Sequence, residues 1–272
     1  MKLTAACIQT NAAPDIAVNL ERVEPMIRHA RERGAELIAL PENVSLMIKG
    51  RDRLFASAAP EETHPAVAFF AAMAQSTGAW ILAGSIAIGT GRDRLANRSF
   101  LFNPAGEIAA RYDKIHMFDA VLSENEAYHE SKYYSGGASA VVADTPWCKI
   151  GMTICYDVRF PHLHRTLAKA GASLIAIPAA FAATTGRLHW HVLTRARAIE
   201  TGSFVIAPAQ CGTHDGGRQT YGHSLIIAPD GSIIAEAGTD PAVIMAELDL
   251  DQVTEARRML PCLQHDRAFD CP

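Results

Sequence analysis

The chain has 272 residues, long enough to bury a substantial core as one large domain or two small ones. Apolar residues make up 49% and charged residues 20%, an ordinary balance for a globular chain. A formal charge of −4 gives no electrostatic reason to expect nucleic acid or an anionic membrane as a partner, and no apolar run approaches the roughly 20 residues that span a bilayer.

The first residues, MKLTAACIQTNAAPD, turn polar at Gln9, too early for the apolar region of a secretion signal, so a cytoplasmic location is expected. The six cysteines (7, 148, 155, 211, 262 and 271) are scattered without a C-x-x-C pair, as expected of free thiols in a reducing compartment.

Strand and helix patterns alternate along the chain. LTAACIQT (3–10) reads as a buried strand. Residues 15–33 carry Ile16, Leu20, Val23, Ile27 and Ala30 at helical spacing, and Gly34 stops that helix. ELIAL (36–40) is a second strand ending at Pro41-Glu42. A helix over 64–77 ends near Gly78, and AWILAGSIAI (79–88) is a third strand. GTGRD (89–93) lacks phosphate-loop spacing and reads as a hairpin tip. Residues 97–118 read as two strands joined by Asn103-Pro104-Ala105-Gly106.

A polar, aromatic-rich stretch covers 119–138. Then come a strand over 147–154 running into Cys155, a helix over 162–170, the strand SLIAIP (173–178) and a helix over 188–201. Strands at 203–208, 222–228, 232–237 and 242–248 precede a short charged helix. No repeat or linker divides the chain, so residues 1–272 are expected to form one α/β domain. Hairpins among βαβ steps suit two mixed β-sheets packed face to face with helices outside.

Three chemically useful residues follow three strands: Glu42 after the second, Lys114 after the strand of 107–113, and Cys155 after that of 147–154. The carboxyl edge of a sheet is where clefts form in α/β folds. A thiol attacks as thiolate, a neighbouring carboxylate can take its proton, and an ammonium can hold an oxyanion. Each residue alone also fits a plainer role: a packed thiol, a turn carboxylate, a surface lysine. The residues by themselves leave that choice open.

LPE (40–42), YDKIHMFD (112–119) and GMTICYDVRFP (151–161) resemble the glutamate, lysine and cysteine motifs of the nitrilase superfamily of carbon–nitrogen hydrolases, in that order along nearly the whole chain. YHESKYYSGG (128–137) places Glu130 where that family carries a second active-site glutamate. HWHVLTRARAIETGSFVIAPAQCG (189–212) and TYGHSLIIAPDG (220–231) are similar to the Nit branch, which includes deaminated glutathione amidases and ω-amidases of 2-oxo acids.

The resemblance implies a four-layer α-β-β-α sandwich. It also implies a cysteine-dependent amidase that converts a small-molecule carboxamide, deaminated glutathione or an ω-amide of a 2-oxo acid, to acid and ammonia through a thioester. Glu42 would be the base, Cys155 the nucleophile, Lys114 and the Tyr156 backbone N–H the oxyanion donors, and Glu130 a residue orienting Lys114 or substrate. No metal or organic cofactor is implied, and a homodimer or higher homo-oligomer is. N-carbamoyl amino acid amidohydrolases and nitrilases use the same set. Two departures touch the substrate walls: His162 stands where members often carry glutamate, and NVSLMIKG (43–50) replaces an aromatic-containing run.

Other readings compete. HLH (162–164) and HWH (189–191) would suit a metal-dependent amidohydrolase if they lay on strands, but both fall in helical segments, where i and i+2 diverge. A scaffold without chemistry is the other rival, and the presence of all four site residues argues against it. Arg159 is expected either to pair with Asp157 or to meet a substrate carboxylate. Phe181 and Thr185 are pocket walls by position, and Cys211 is a packed thiol or a pocket residue.

Overall fold

The computed structural model describes residues 1–91 and 93–270. Arg92, in the expected hairpin tip, and Cys271 lie outside the described residues. In chain order the elements are β1 (Lys2–Gln9), α1 (Ile16–Glu32), β2 (Leu37–Ala39), α2 (Arg51–Ser57), α3 (Pro65–Thr77), β3 (Trp80–Gly89), β4 (Leu95–Phe102), β5 (Ile108–Asp113), β6 (Asp119–Ser123), β7 (Glu126–His129) and β8 (Val141–Asp144). There follow β9 (Lys149–Met152), α4 (Pro161–Lys169), β10 (Ala172–Ala176), α5 (Ala183–Thr201), β11 (Phe204–Ala207), β12 (Cys211–Thr213), β13 (Gln219–Tyr221), β14 (Leu225–Ile227), β15 (Ile233–Glu236), β16 (Ala242–Asp249) and α6 (Asp251–Met259).

Two six-stranded sheets result, ordered β16-β1-β2-β3-β4-β5 and β15-β14-β11-β10-β9-β8. In each, a parallel centre fed by helical crossovers is flanked by antiparallel strands, which is why the chain mixes βαβ steps with hairpins. The period-two alternation of strands separates the layers. Leu3, Ala5, Cys7, Leu37, Ala39 and Leu82 face the second sheet, where Ile150, Met152, Leu174 and Phe204 join the same core. Their neighbours Ala6, Ile8, Ile38, Ile81 and Ala83 pack instead with Val23, Ile27, Phe70 and Met73 of α1 and α3. Helices α4 and α5 cover the far side of the second sheet. The architecture is the four-layer α-β-β-α sandwich.

Local chemistry sets the helix ends. Asp15 caps α1 by accepting from the Val18 N–H at 3.1 Å, a contact worth about 1 kcal/mol. Gly78 ends α3 in the left-handed conformation at φ 64°. No helix among the described residues is long and apolar enough to cross a membrane.

Several expectations need correction. The polar stretch 119–138 contains the β6–β7 hairpin, and the expected strand 222–228 reduces to β14, preceded by a separate β12–β13 hairpin. Helix α2 and edge strand β8 were not expected at all. Helix α5 starts at Ala183 rather than 188; its first turn holds Gly186, a weak helix former, because a Cβ there would meet Tyr221 at 2.5 Å.

Candidate active site

Glu42 leaves β2 through Leu40-Pro41, and the close approach of β3 beneath it decides its address. A Cβ on Gly84 would stand 1.9 Å from the Leu40 carbonyl oxygen, so only glycine lets the two backbones pass. Glu42 is 2% exposed and fully engaged. Its Oε1 accepts from Lys114 Nζ at 2.8 Å and Asn97 Nδ2 at 3.0 Å, and its Oε2 from the Ala180 N–H at 2.8 Å.

Lys114 follows β5 directly and is 1% exposed. Besides Glu42 it donates to both oxygens of Glu130, at 3.1 and 2.8 Å. Glu130 is held in turn by Asn97 Nδ2 at 3.0 Å and by the Phe118 N–H at 2.6 Å. The structure thus brings Glu42, Lys114 and Glu130 into one buried cluster, with Asn97 donating to both carboxylates.

Cys155 closes the cluster from the second sheet. It opens a 3-10 turn over Cys155–Arg159, and its own φ is 48°, a left-handed conformation that non-glycine residues rarely adopt. Asp157 enforces that turn by accepting from the Ile154 N–H at 2.9 Å, the Tyr112 hydroxyl at 2.6 Å and the His116 N–H at 3.1 Å. The Cys155 N–H donates to the Pro178 carbonyl at 2.9 Å. The Cys155 thiol lines the same cavity as Glu42 and Lys114, and both charges act on its ionisation. Among the described residues no acceptor meets the Tyr156 backbone N–H.

These contacts set the protonation states. Burial pushes the Glu42 carboxyl up, but the charge and hydrogen bond of Lys114, helped by Arg218 and the Cys155 thiol, outweigh it and leave the carboxyl below its ordinary value. Burial opposes the Lys114 ammonium, yet Glu130, Glu42 and Cys155 raise it well above the ordinary range. Burial and the Glu42 charge hold the Cys155 thiol well above its ordinary value despite Lys114. The resting site is therefore a neutral thiol beside a carboxylate that is braced by an ammonium.

A cavity of about 560 Å³ opens over this cluster, with Glu42, Lys114, Glu130 and Cys155 in its lining. Its walls include Leu46, Met47 and Lys49 from the 43–50 segment, together with Tyr128, Thr184 and Arg218. Arg159, Phe181 and Thr185 are not in that lining. Arg159 does not pair with Asp157, whose oxygens are already taken. Its guanidinium lies 5.1 Å from the Phe181 ring centre and 3.3 Å from His189 Nδ1. Thr185 Oγ1 donates to the Ala182 carbonyl at 3.4 Å in the first turn of α5. His162 lies on α4 against His116 and Phe160, also outside the lining. Cys211 is buried in β12, with burial raising its thiol to about 11.

The two histidine pairs split on their helices. His164 is buried, with its Nδ1 3.2 Å from the Phe160 carbonyl and its pKa pushed down by burial to about 3. His189 faces Arg159, while His191 reaches Glu236.

Asn97 and Asp157 are the residues that motif reasoning missed. Asn97 left a signal: an asparagine inside the apolar strand 95–102 must find partners if buried. Asp157 left none for its distant contacts: besides the local Ile154 N–H, its partners are Tyr112 on β5 and His116 just after it, over 40 positions away.

A carbon–nitrogen hydrolase family model matches residues 4–258. The chain is 39% identical over 266 residues to a deaminated glutathione amidase of Synechocystis, covering 96% of this chain and 97% of that protein. Among solved structures, the Saccharomyces cerevisiae Nit3 protein, a member of branch 10 of the nitrilase superfamily, superposes with a TM-score of 0.86 at 30% identity, over 97% of this chain and 96% of that one. The C. elegans NitFhit protein gives a TM-score of 0.89 at 31% identity over 98% of this chain, which spans 65% of that longer one. Fold, motif order and near-complete coverage agree: the chain belongs to the carbon–nitrogen hydrolase family.

Proposed function

We propose that the protein is a cysteine-dependent amidase acting on a small carboxamide, with deaminated glutathione or an ω-amide of a 2-oxo acid as its substrate. The observation that carries this reading is the buried Glu42 carboxylate braced by Lys114 in the cavity that Cys155 also lines.

The neutral thiol favours general-base attack. As Sγ bonds to the amide carbon, its proton passes to Glu42, so the charge moves within the cluster while its sum stays constant. The carbonyl oxygen becomes an oxyanion held by Lys114 Nζ and the Tyr156 N–H. Glu42 returns the proton to the departing nitrogen, leaving a thioester at Cys155. Glu42 then deprotonates water, which attacks the thioester, and the carboxylic acid and thiol are released. Glu130 and Asn97 position Lys114 and Glu42 throughout.

The expected ammonia holds only for a primary amide. In deaminated glutathione the scissile nitrogen belongs to cysteine, so the amine released is cysteinylglycine, and a cavity of about 560 Å³ has room for such a group. The test is release of the 2-oxo acid from deaminated glutathione and, separately, from a primary ω-amide, by native protein beside its Cys155→Ala variant. Turnover by native protein alone supports the reading. Equal rates from both proteins would end the thiol mechanism, and silence from both would move the substrate to carbamoyl compounds or nitriles.

The same reading takes residues 1–272 as one catalytic domain in the cytoplasm, where the five described cysteines, all unpaired, suit a reducing compartment. It also takes the protein as a homodimer formed through α5, whose Leu188 and Val192 are 72% and 66% exposed on one face. Light scattering of Val192→Glu tests this: a shift from dimer to monomer supports the α5 face.

A further inference from the structure

We propose that His191, His223 and Glu236 form a binding site for one divalent late-transition ion of the zinc type, separate from the catalytic cavity. One ligand atom from each residue lies within 4.8 Å of the others. His191 Nε2 and His223 Nδ1 both meet the same oxygen, Glu236 Oε1, at 2.9 and 2.8 Å. None of the three residues lines the cavity over Cys155.

The three groups come from different elements, and each is held in place without help from an ion. His191 lies within α5, and Glu236 is the last residue of β15. His223, in the loop between β13 and β14, has a φ of 53°, so its ring projects from a left-handed backbone position. That backbone is tied down on both sides. The His223 N–H donates to the Gly238 carbonyl at 3.0 Å, and its carbonyl accepts from Trp190 Nε1 at 2.7 Å. Trp190 is the neighbour of His191, so the contact fixes the spacing of the two histidines. The Tyr221 ring stacks on His223 with centres 4.4 Å apart and restricts its rotation.

Two imidazole nitrogens and a carboxylate oxygen are the donor set that zinc, nickel, copper or cobalt accepts, whereas magnesium and calcium demand oxygen ligands. Both rings now present nitrogen to one oxygen. Moving each ring proton to its other nitrogen frees both lone pairs with no net proton loss. Small ring rotations then open the 2.8–2.9 Å contacts to the separation that ligands about 2.1 Å from a common ion require. The side chains are 29%, 24% and 38% exposed, which leaves water access to the remaining coordination positions.

The test is zinc binding to chelator-treated, full-length Cys155→Ala protein, a background that removes the catalytic thiol as a ligand. Competition against a chromophoric chelator should show one equivalent bound, and His191→Ala and Glu236→Gln should each weaken it at least about tenfold. Zinc should also raise the melting temperature of the background by a few degrees and leave that of the His191→Ala, Glu236→Gln double variant unchanged. Absence of stoichiometric binding, or binding that both substitutions leave intact, overturns the site. If His191→Ala fails to fold without metal, Glu236→Gln alone decides, since the amide oxygen can still accept from both rings.

Discussion

Strand β4 and the end of β5 carry two ionic clusters on neighbouring residues, and only one is largely shut off from water. Asn97 and Lys114 turn inward to Glu42 and Glu130, with Lys114 and Glu42 side chains 1% and 3% exposed. Arg98 and Asp113, one residue away on each strand, turn outward, and Arg98 also pairs with Glu61. Arg98 and Asp113 are 23% and 32% exposed. Both clusters pair one cation with two carboxylates at hydrogen-bond distance, 2.8–3.1 Å inside and 2.6–2.9 Å outside. Water separates their behaviour: it screens the outer pairs, where Asp113 and Glu61 only push the already high Arg98 value higher, while its exclusion lets the inner charges decide the ionisation of Glu42 and Cys155.

Breaking the comparison at its reactive end should give the largest effect. Cys155→Ala should lower kcat/KM by about 10⁴-fold or more while leaving the melting temperature nearly unchanged, since it removes the attacking atom but no charge. Product release and a thermal melt check this together; a large fall in stability would mean that the thiol braces the cluster.

Next is Lys114→Met beside Arg98→Met. The inner substitution should cost about 10²–10³ in kcat and about 3–5 kcal/mol of stability, because it strands the buried Glu42 carboxylate and the partly buried Glu130 beside it. The outer one should cost about 1 kcal/mol and leave kcat alone. Denaturant unfolding with steady-state kinetics separates them. Equal stability losses would show that burial is not what distinguishes the clusters.

Asn97→Leu should have a smaller effect, about tenfold in kcat, by releasing Glu42 and Glu130 from a shared donor. A rise in KM alone would assign Asn97 to substrate instead.

The subtlest test is pH. With its carboxyl held below the ordinary value of 4.5, Glu42 contributes fully to stability above that pH and loses its contribution as pH falls through the lower folded value. Lys114, raised above 10.5, contributes fully below that pH and loses its contribution as pH rises through the folded value. The contribution of the Glu42–Lys114 pair to the stability of the native protein should therefore stay flat from about pH 5 to 10, as pH-dependent denaturant unfolding would show. The acid limb of kcat/KM should lie below 4.5. A limb near neutrality would mean that Glu42 is not the base.

Much of this was legible in the residues because periodicity reports faces. Ala5 and Cys7 against Ala6 and Ile8 announce a strand buried on both sides, and Glu42, Lys114 and Cys155 announce themselves by following strands. What stayed hidden depends on contacts between distant segments. Helix α2 has no buried residue of its own, and Leu54 and Phe55 pack only once Leu95 and Tyr134 are in place. The start of α5 is masked by Gly186, whose reason is Tyr221. Arg159 looked like the partner of Asp157 because they are close in sequence, but Tyr112 and His116 from the other sheet had already claimed that carboxylate.

That last contact has a mechanical consequence. Asp157 belongs to the sheet that carries the nucleophile, and its partners belong to the sheet that carries the lysine. Glu42 likewise crosses to Ala180, while the Gln210 side-chain amide crosses back to the Glu42 carbonyl at 3.1 Å. The catalytic groups are thus rivets through the sandwich, and turnover acts as a gauge of its alignment. A slide of one sheet over the other would carry Cys155 away from Glu42 and Lys114 before either sheet lost its own strands. Activity should disappear ahead of secondary structure on heating.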